Sequence, residues 1–359
     1  MVKKHGAGIG RPESSAKLKK GDEMEKIRAL ARERMKGCCR VCPVCDGRAC
    51  VGEVPGMGGL GTGRAFSNNL TSLAAMTFNM RLLHDVSEPD LAVEVLGHRL
   101  ALPLLAAPIG GVAFNMGGGI SEEDYIAAIL DGCAESGIIG CVGDGVPDFI
   151  HQAGYAAMKA LDGKGIPFIK PWGEAEFYQK VERALAAGAK VIGMDIDAAG
   201  LVTLKKMGRP VSPKSPQKLA EIVRRIDVPL ILKGVMTVDE ARLAADAGVR
   251  AIVVSNHGGR VLDHTPGAAQ VLPAISDAVK GSITILADGG VRSGGDILKM
   301  LALGADAVMI GRPFSIAAVG GLKAGVVRYI DTLRGELQSA MVLTGTASAG
   351  SVDRRILNR

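Results

Sequence analysis

The sequence predicts an α/β fold, a (β/α)8 barrel with an N-terminal helical and cysteine-rich extension. From about residue 103, short runs of β-branched and other apolar residues alternate with amphipathic stretches of helical period, which is typical of parallel βαβ units. The chain has 359 residues, a length that suits one such barrel with additions. Hydrophobic residues make up 47% of it and aromatic residues 3%, so mainly aliphatic side chains must fill the core, as in parallel sheets covered by helices.

Eight candidate strands follow one another through this region. Eight consecutive units favour a closed barrel over an open sheet. Gly188, Gly248 and Gly304 each stand just before a strand, where the preceding helix ends and glycine is the preferred C-terminal cap. The predicted strands span residues 102–107, 138–142, 167–170, 191–195, 230–233, 251–255, 284–287 and 307–310.

The N-terminal extension is predicted to end at about residue 64. We assign residues 1–64 to a basic arm and a cysteine- and glycine-rich segment, and residues 65–359 to the barrel with a flanking helix at its start. Residues 68–100 are predicted to form that helix and a short extended stretch, which pack over the bottom or the flank of the barrel.

The first 37 residues are polar and lack apolar periodicity, so they are predicted to be a disordered arm and linker. Much of the formal net charge of +6 comes from this arm. No aromatic residues are interleaved with its charges, so we expect no nucleic-acid partner. Its basic residues include Lys3, Lys4, Arg11, Lys17, Lys19 and Lys20.

Nothing in the sequence indicates export or membrane insertion. The N-terminus lacks the apolar region and cleavage site of a signal peptide, and no apolar stretch is long and pure enough to span a bilayer. Five of the seven cysteines are crowded between residues 38 and 50, unlike a disulfide framework. We therefore expect a cytoplasmic protein with no membrane partner.

The unusual residues lie at the predicted carboxyl ends of strands, the face where such barrels carry their chemistry. Glycines let the backbone approach a phosphate, helix N-termini favour an anion, and arginine can donate two hydrogen bonds to its oxygens. This pattern predicts a phosphate site. Its residues are Asp288, Gly289, Gly290, Val291 and Arg292 after the seventh strand, and Gly311 and Arg312 after the eighth.

The fifth and sixth strands end in residues suited to acid–base chemistry. Lys233 ends an apolar strand, where a cation needs an anionic partner. His257 and Arg260 follow the sixth strand and are separated by two glycines, which leave room for a ligand. Histidine can accept a proton near neutral pH, and arginine can hold a carboxylate through two parallel hydrogen bonds.

The segment SNHGGR, with ILKG upstream and ADGGVRSGGDILKMLALGADAVMIGRPF downstream, resembles the FMN-dependent α-hydroxy-acid oxidase/dehydrogenase family. The likeness is strong over residues 228–314 and traceable from about residue 69. It implies bound FMN and oxidation of a small L-2-hydroxy acid, lactate- or glycolate-like, to the 2-oxo acid. It also implies O2 or another electron acceptor, and a homo-oligomer that is a tetramer or larger.

The resemblance assigns four catalytic residues. His257 would take the α-proton, or the hydroxyl proton coupled to hydride transfer, and Arg260 would bind the substrate carboxylate. Asp197 would orient the histidine, and Lys233 would stabilise the reduced flavin. The residues implied in cofactor binding are Ala107, Pro108, Ile109, Gly110, Lys170, Lys233, Ser255, Asp288, Gly289, Gly290, Val291, Arg292, Gly311 and Arg312.

The sequence departs from the family pattern around the substrate. Trp172 stands where the family has a substrate-binding tyrosine, and Lys170 stands where a glutamine usually meets the flavin. The position of the family's second substrate-binding tyrosine falls in the glycine-rich run 56–63, which contains no tyrosine. The loop after the fourth strand is short, so the lid that it forms over the active site in the family is predicted to be smaller here. Trp172 is therefore a candidate substrate residue, and the substrate side chain stays open.

Cys39, Cys42, Cys45 and Cys50 have spacings that can converge on zinc or an iron–sulfur cluster. Redox-active or free thiols and an inert structural cluster are the alternatives.

The glycine-rich run that begins at Gly56 matches a dinucleotide-binding fingerprint. Because it follows no strand, we interpret it as a connection that can close over the active-site mouth.

Two other functions agree with parts of this pattern. One is a different FMN barrel enzyme, such as a flavin-dependent isomerase, against which the pair of His257 and Arg260 argues. The other is a flavin- or phosphate-binding redox sensor that uses the cysteines as its input.

Overall fold

Eight parallel strands form a closed barrel in the computed structural model, which describes residues 15–201, 204, 207–209 and 211–358. The last barrel strand pairs with the first through Val308 and Leu104, which closes the ring. The strands are β1 (Leu104–Ile109), β2 (Ile139–Val142), β3 (Ile166–Ile169), β4 (Ile192–Asp195), β5 (Leu230–Val235), β6 (Ala251–Val254), β7 (Thr284–Ala287) and β8 (Ala307–Ile310).

Helices cover the outside of the barrel and bury aliphatic side chains against it. The longest helix kinks at Leu322, whose φ of 48° is not helical. The helices are α1 (Ser15–Arg34), α2 (Arg64–Ala74), α3 (Val112–Asn115), α4 (Glu122–Glu135), α5 (Asp148–Ala160), α6 (Glu174–Ala186), α7 (Pro216–Arg225), α8 (Val238–Asp246), α9 (Ala268–Val279), α10 (Gly294–Ala302) and α11 (Arg312–Thr344). Among the described residues, no helix has both the length and the apolar character needed to cross a lipid bilayer.

The predicted barrel is confirmed, and all eight predicted strands are present. The start of β1 differs from the prediction because the N–H of Leu104 donates to the carbonyl of Leu102 at 2.7 Å, which makes a turn of these residues. Gly188, Gly248 and Gly304 follow helix ends with φ of 89°, 87° and 114°. These left-handed conformations favour glycine, which confirms their predicted role as caps.

A short hairpin before β1 covers the amino-terminal end of the barrel. Its strands, Val93–Val95 and His98–Leu100, pair antiparallel. The N–H of Ala101 then donates to the carbonyl of Gly137 at 2.8 Å, just before β2 begins. The extended stretch in residues 68–100 therefore packs at the bottom of the barrel, as predicted.

Helix α2 lies on the flank near the other end of the barrel. A side chain added at Gly289 would meet Oδ1 of Asn69 at 2.6 Å, and one at Gly290 would meet the Asn69 carbonyl at 2.7 Å. Both glycines follow β7, so α2 lies beside the carboxyl ends of the strands. The sequence pattern predicts a flanking helix but not which end of the barrel it adjoins.

The prediction of a disordered arm is wrong for α1, which packs against α11. Ala31 is fully buried and Ile27 is 8% exposed. A side chain at Gly320 of α11 would collide with the backbone of Ile27, so the two helices approach closely. The buried positions recur only every fourth residue, which is too sparse to stand out as apolar periodicity. Residues 1–14 lie outside the described residues.

The docking of α1 can be tested by truncating its buried face. We expect Ile27→Ala to lower the free energy of unfolding by about 2–4 kcal/mol, because a buried aliphatic side chain leaves a cavity. Leu30→Ala is the matched control, because Leu30 lies on the same helix and is 37% exposed. Chemical denaturation of both variants measures the difference, and equal effects would contradict a docked α1.

Candidate functional site

A cavity of ≈ 270 Å³ opens at the carboxyl ends of the strands. Its wall contains most of the side chains that the sequence predicts for the site, although they come from six different strand ends. The predicted residues that line it are Ala107, Pro108, Ile109, Gly110, Lys170, Lys233, His257, Arg260, Asp288, Gly289, Gly290, Val291, Arg292, Gly311 and Arg312.

His257 is held at the cavity by its own turn and by Asp197. Its Nδ1 lies 2.9 Å from Oδ1 of Asp197, and its side chain is 20% exposed. Its backbone N–H donates to Oγ of Ser255 at 3.0 Å. Ser255 is fully buried and does not line the cavity, although it was predicted to bind the cofactor. A side chain at Gly259 would collide with the backbone of Phe66, which explains the second of the two glycines after the histidine.

Asp197 keeps a negative charge beside this histidine. Burial alone would raise its pKa, but the charges of His257 and Lys233 and the hydrogen bond from His257 hold it below the usual value. With Nδ1 engaged by the carboxylate, Nε2 is the ring nitrogen left to exchange a proton with a ligand. The pair thus has the geometry of a base with its orienting group.

Lys233 supplies the positive charge of the same cluster. Its Nζ lies 3.2 Å from Oδ1 of Asp195 and 3.4 Å from Nδ1 of His257, and its side chain is 4% exposed. Burial opposes its charge, but Asp195, Asp197 and Asp288 raise its pKa above the usual value. Asp195, Asp197 and His257 are close enough to bind a metal ion, but the ammonium group already supplies a cation there.

Asp288 faces the cavity with an unused oxygen. Burial raises its pKa, although the charge of Lys233 and the hydroxyl of Ser255 oppose the shift. Its Oδ1 is buried and accepts no hydrogen bond from the described residues. A buried, unpartnered carboxyl oxygen costs free energy unless a ligand satisfies it, so Asp288 suits a bound group that donates a hydrogen bond.

Three guanidinium groups at this end form no ion pair with a carboxylate in the described part of the chain: those of Arg260, Arg292 and Arg312. Burial, and then the charges of Arg260 and Arg292, lower the pKa of Arg312 to about 9. Burial lowers the pKa of Arg260 to about 10, and Nε of Arg292 is buried without an acceptor. Mutual repulsion of this kind is relieved by an anion, so the three groups fit one or more anionic ligands.

The backbone around these arginines is also suited to a phosphate. Gly289 and Gly290 have φ of 92° and 88°, so the chain after β7 turns tightly and presents backbone rather than side chains. Ser293 caps α10 through a hydrogen bond from the N–H of Asp296, and α11 begins at Arg312. Two helix N-termini and the arginines therefore favour an anion at the same place. These residues fit the phosphate of FMN, and the apolar and lysine-bearing floor of the cavity fits its ring.

The glycine-rich connection covers the mouth of the cavity, as the sequence suggested. Nε of Arg312 donates to the carbonyl of Met57 at 2.7 Å, and its Nη2 donates to that of Gly58 at 3.0 Å. Nη1 of Arg260 donates to the carbonyl of Gly56. Backbone carbonyls thus occupy some arginine donors without neutralising their charge.

Trp172 does not line the cavity, although it was a candidate substrate residue. Its side chain is fully buried, and Nε1 donates to Oδ2 of Asp144 at 2.6 Å. Asp144, which the sequence analysis missed, also binds Nζ of Lys180 at 2.5 Å and accepts from the backbone of Lys170 at 3.0 Å. The sequence signal that could have identified Asp144 is its position just after β2, at the carboxyl end of a barrel strand. The network fixes Lys170 at the cavity and turns the indole away.

Part of the cavity wall is apolar. Val54 and Pro55 immediately precede the glycine-rich connection, and Phe114 comes from α3. Leu201 and Met207, from the segment between β4 and α7, also line the mouth. The wall of the cavity thus also offers an apolar surface to a ligand.

The cysteines predicted as metal ligands lie at the rim of the same end. Sγ of Cys45 accepts from Nη2 of Arg292 at 3.6 Å, and Arg312 is close enough to lower the pKa of Cys39 and Cys50, although burial raises both overall. Every cysteine is a free thiol. Among the described residues, no three sulfur atoms lie within 4.8 Å of one another. A preassembled zinc site would need its four sulfurs within about 4 Å, given Zn–S bonds of about 2.3 Å.

Comparison with known proteins accounts for most of the chain. The sequence model of the FMN-dependent dehydrogenase family matches residues 56–209 and 203–359. L-lactate dehydrogenase of Actinobacillus pleuropneumoniae serotype 5b (strain L20) is 30% identical over 362 residues, which cover 84% of this chain and 92% of that protein. L-lactate dehydrogenase of Xanthomonas campestris pv. campestris (strain B100) is also 30% identical, with 84% and 91% covered.

Comparison with solved structures agrees with this family match. The crystal structure of mandelate oxidase has a TM-score of 0.76 to this chain at 28% identity, and the match covers 93% of this chain and 97% of that one. The complex of mandelate oxidase with (S)-4-hydroxymandelic acid has a TM-score of 0.75 at 26% identity, with 93% and 98% covered. Matched over most of its length by one family, this chain belongs to the FMN-dependent dehydrogenases and is an oxidoreductase that acts on CH–OH groups.

Proposed function

We propose that the chain oxidises a small L-2-hydroxy acid, such as lactate or glycolate, to the 2-oxo acid with FMN as the cofactor. The observation that carries this proposal is the 2.9 Å contact between His257 Nδ1 and Asp197 Oδ1 at the wall of the cavity. It leaves Nε2 of His257 as the base for the substrate. Membership of a dehydrogenase family favours oxidation over isomerisation.

Arg260 is the proposed carboxylate-binding residue. Its guanidinium makes hydrogen bonds to the carbonyls of Gly56 and Gly58 and to Oδ1 of Asn115. A guanidinium has five N–H donors, so two remain for a carboxylate. Arg260 follows His257 by three residues in the same turn, so the two side chains can reach the carboxylate and the hydroxyl of one substrate molecule.

FMN, when bound, supplies the acceptor for the two electrons that leave the substrate carbon. The chain supplies positive charge around it: Lys233 from β5 and Lys170 after β3 both line the cavity. Asp197 keeps His257 oriented and stabilises the proton that His257 takes from the substrate. Arg292 and Arg312 hold the phosphate through charge-assisted hydrogen bonds.

The apolar part of the cavity wall favours one class of side chain on the substrate. Phe114, Leu201 and Met207 offer no hydrogen-bonding group at the mouth. A 2-hydroxy acid with a small apolar side chain gains free energy there, whereas a second carboxylate would lose its hydration without a partner. L-lactate dehydrogenase and mandelate oxidase, the relatives, are named for acids with apolar side chains.

Replacement of His257 tests the base. The His257→Ala variant should stay yellow, because His257 is not a phosphate-binding residue. Its anaerobic flavin reduction by L-lactate, glycolate or mandelate should be slower by about 10²- to 10⁴-fold, the usual contribution of a general base. The control is His264→Ala, because His264 is in the following loop and its side chain is 71% exposed. Stopped-flow absorbance measures both, and a normal rate in His257→Ala would refute the assignment.

Replacement of Arg260 tests the carboxylate site. Arg260→Lys should raise the apparent Kd for the 2-hydroxy acid by about 10- to 100-fold, because a point charge cannot reproduce two parallel hydrogen bonds. Arg48→Lys is the control, since the side chain of Arg48 is 90% exposed. The measurement is the dependence of the anaerobic reduction rate on substrate concentration. An unchanged Kd in Arg260→Lys would place the carboxylate elsewhere.

Replacement of Asp197 tests the orienting group. Since the pKa of Asp197 is below its usual value, the carboxylate stays charged as the pH falls, and its interaction with His257 is lost only when the pH falls through that lowered pKa. Asp197→Asn removes the charge at every pH. We expect flavin reduction to slow by about 10²-fold from about pH 5 to about pH 9. A rate equal to that of the unmodified chain across this range would give Asp197 no part in catalysis.

A further inference from the structure

The loop that carries the cysteines is built into the fold rather than loosely attached. Nη2 of Arg28 donates to the carbonyl of Cys42 at 2.6 Å, and Nη2 of Arg32 donates to that of Val41 at 3.0 Å. Both arginines belong to α1, which packs on α11. The carbonyl of Cys38 accepts from the N–H of Met57 at 3.1 Å, which joins the loop to the cover of the cavity. Helix α1 and the connection thus hold the loop over the barrel mouth.

The family match does not account for these cysteines, since it begins at residue 56. Yet Cys39, Cys42, Cys45 and Cys50 occur within a few residues of one another and interact electrostatically as a group. Their spacings of two, two and four intervening residues bring four thiols to one side of the barrel mouth.

The geometry separates the possible uses of four thiols. The cysteines are unpaired. In the described chain no three sulfurs lie within 4.8 Å of one another, which is wider than a single tetrahedral zinc ion allows. A [4Fe–4S] cluster binds each thiolate to a different iron atom, so its four sulfurs stand farther apart. The lack of such a close group argues against a preassembled zinc site, whereas it agrees with a cluster, which holds the four sulfurs farther apart.

The charge around the loop supports the same choice. A [4Fe–4S] core with a formal charge of 2+ and four thiolate ligands carries a net charge of about −2. Arg292 contacts Cys45 and Arg312 interacts with it electrostatically, and neither arginine has a carboxylate partner among the residues that the structure describes. Hydrogen bonds and positive charge next to the ligand sulfurs stabilise such an anionic centre.

We propose that Cys39, Cys42, Cys45 and Cys50 bind a [4Fe–4S] cluster at the mouth of the barrel, beside Arg292 and Arg312. The cluster would carry electrons from the flavin to an acceptor other than O2. In the oxidation of a 2-hydroxy acid, the C–H and O–H bonds break, a C=O bond forms, and two protons and two electrons leave. The electrons pass from the flavin one at a time to the cluster, whose core goes from 2+ to 1+, and then to an external one-electron carrier. This role rests on the proposed function, whereas binding of the cluster does not.

Metal analysis tests the binding of the cluster. The full chain, purified without air, should contain about four iron and four acid-labile sulfide per chain and absorb broadly in the visible range. Cys45→Ser should lose most of the iron and sulfide. Cys38→Ser is the matched control, because Cys38 is equally half-buried in the same loop but lies outside the proposed ligand set. Zinc without iron, absence of both metals, or equal loss in Cys38→Ser would overturn the proposal.

Electron paramagnetic resonance tests the role separately. Anaerobic addition of L-lactate or another 2-hydroxy acid that bleaches the flavin should produce the signal of a reduced cluster. In His257→Ala, dithionite should produce that signal while the hydroxy acid should not. Bleaching of the flavin without the signal would overturn the electron-exit role. A cluster present by metal analysis, with no bleaching by any hydroxy acid, would refute the proposed function and leave the metal site intact.

Discussion

The arrangement of the barrel mouth depends on positive charge that protein carboxylates do not neutralise. Arg260, Arg292 and Arg312 come from three strand ends, and within the described residues none of them has a carboxylate partner. A closed parallel barrel forces these ends together, so the repulsion is built into the topology. The carbonyls of residues 56–58 accept hydrogen bonds from two of the arginines but carry no net charge. The phosphate of a flavin, a substrate carboxylate and a thiolate-bound cluster each supply the missing anion.

In the second group of charges, carboxylates surround and stabilise a buried cation. Lys233 sits among Asp195, Asp197 and Asp288, so its ammonium is stabilised in a buried place where a lone cation would be costly. His257 adjoins this cluster and can take up a proton because Asp197 remains charged beside it. The barrel mouth thus contains an arginine-rich side suited to anions and a carboxylate-rich side, with His257, suited to proton transfer. A 2-hydroxy acid, with its carboxylate and hydroxyl on adjacent carbons, can contact both.

The sequence predicts the barrel and most of the site because both depend on local patterns. Strands β1 to β8 follow runs of apolar residues, and His257, Arg260 and Asp288 stand where those runs end. Contacts between distant segments leave no such pattern. The docking of α1 depends on Gly320, nearly three hundred residues away from Ile27, and Trp172 turns inward because Asp144 accepts its indole N–H. Whether the cysteines lie at the mouth or far from it also depends on how α1 packs.

The most direct test of this account is a crystal structure of the protein with FMN and a 2-oxo acid product bound. The account predicts the FMN phosphate against Arg292 and Arg312, the product carboxylate on Arg260, and Nε2 of His257 within hydrogen-bonding distance of the 2-oxo oxygen. A product carboxylate bound by Lys170, with Arg260 still occupied only by the carbonyls of the glycine-rich connection, would contradict it.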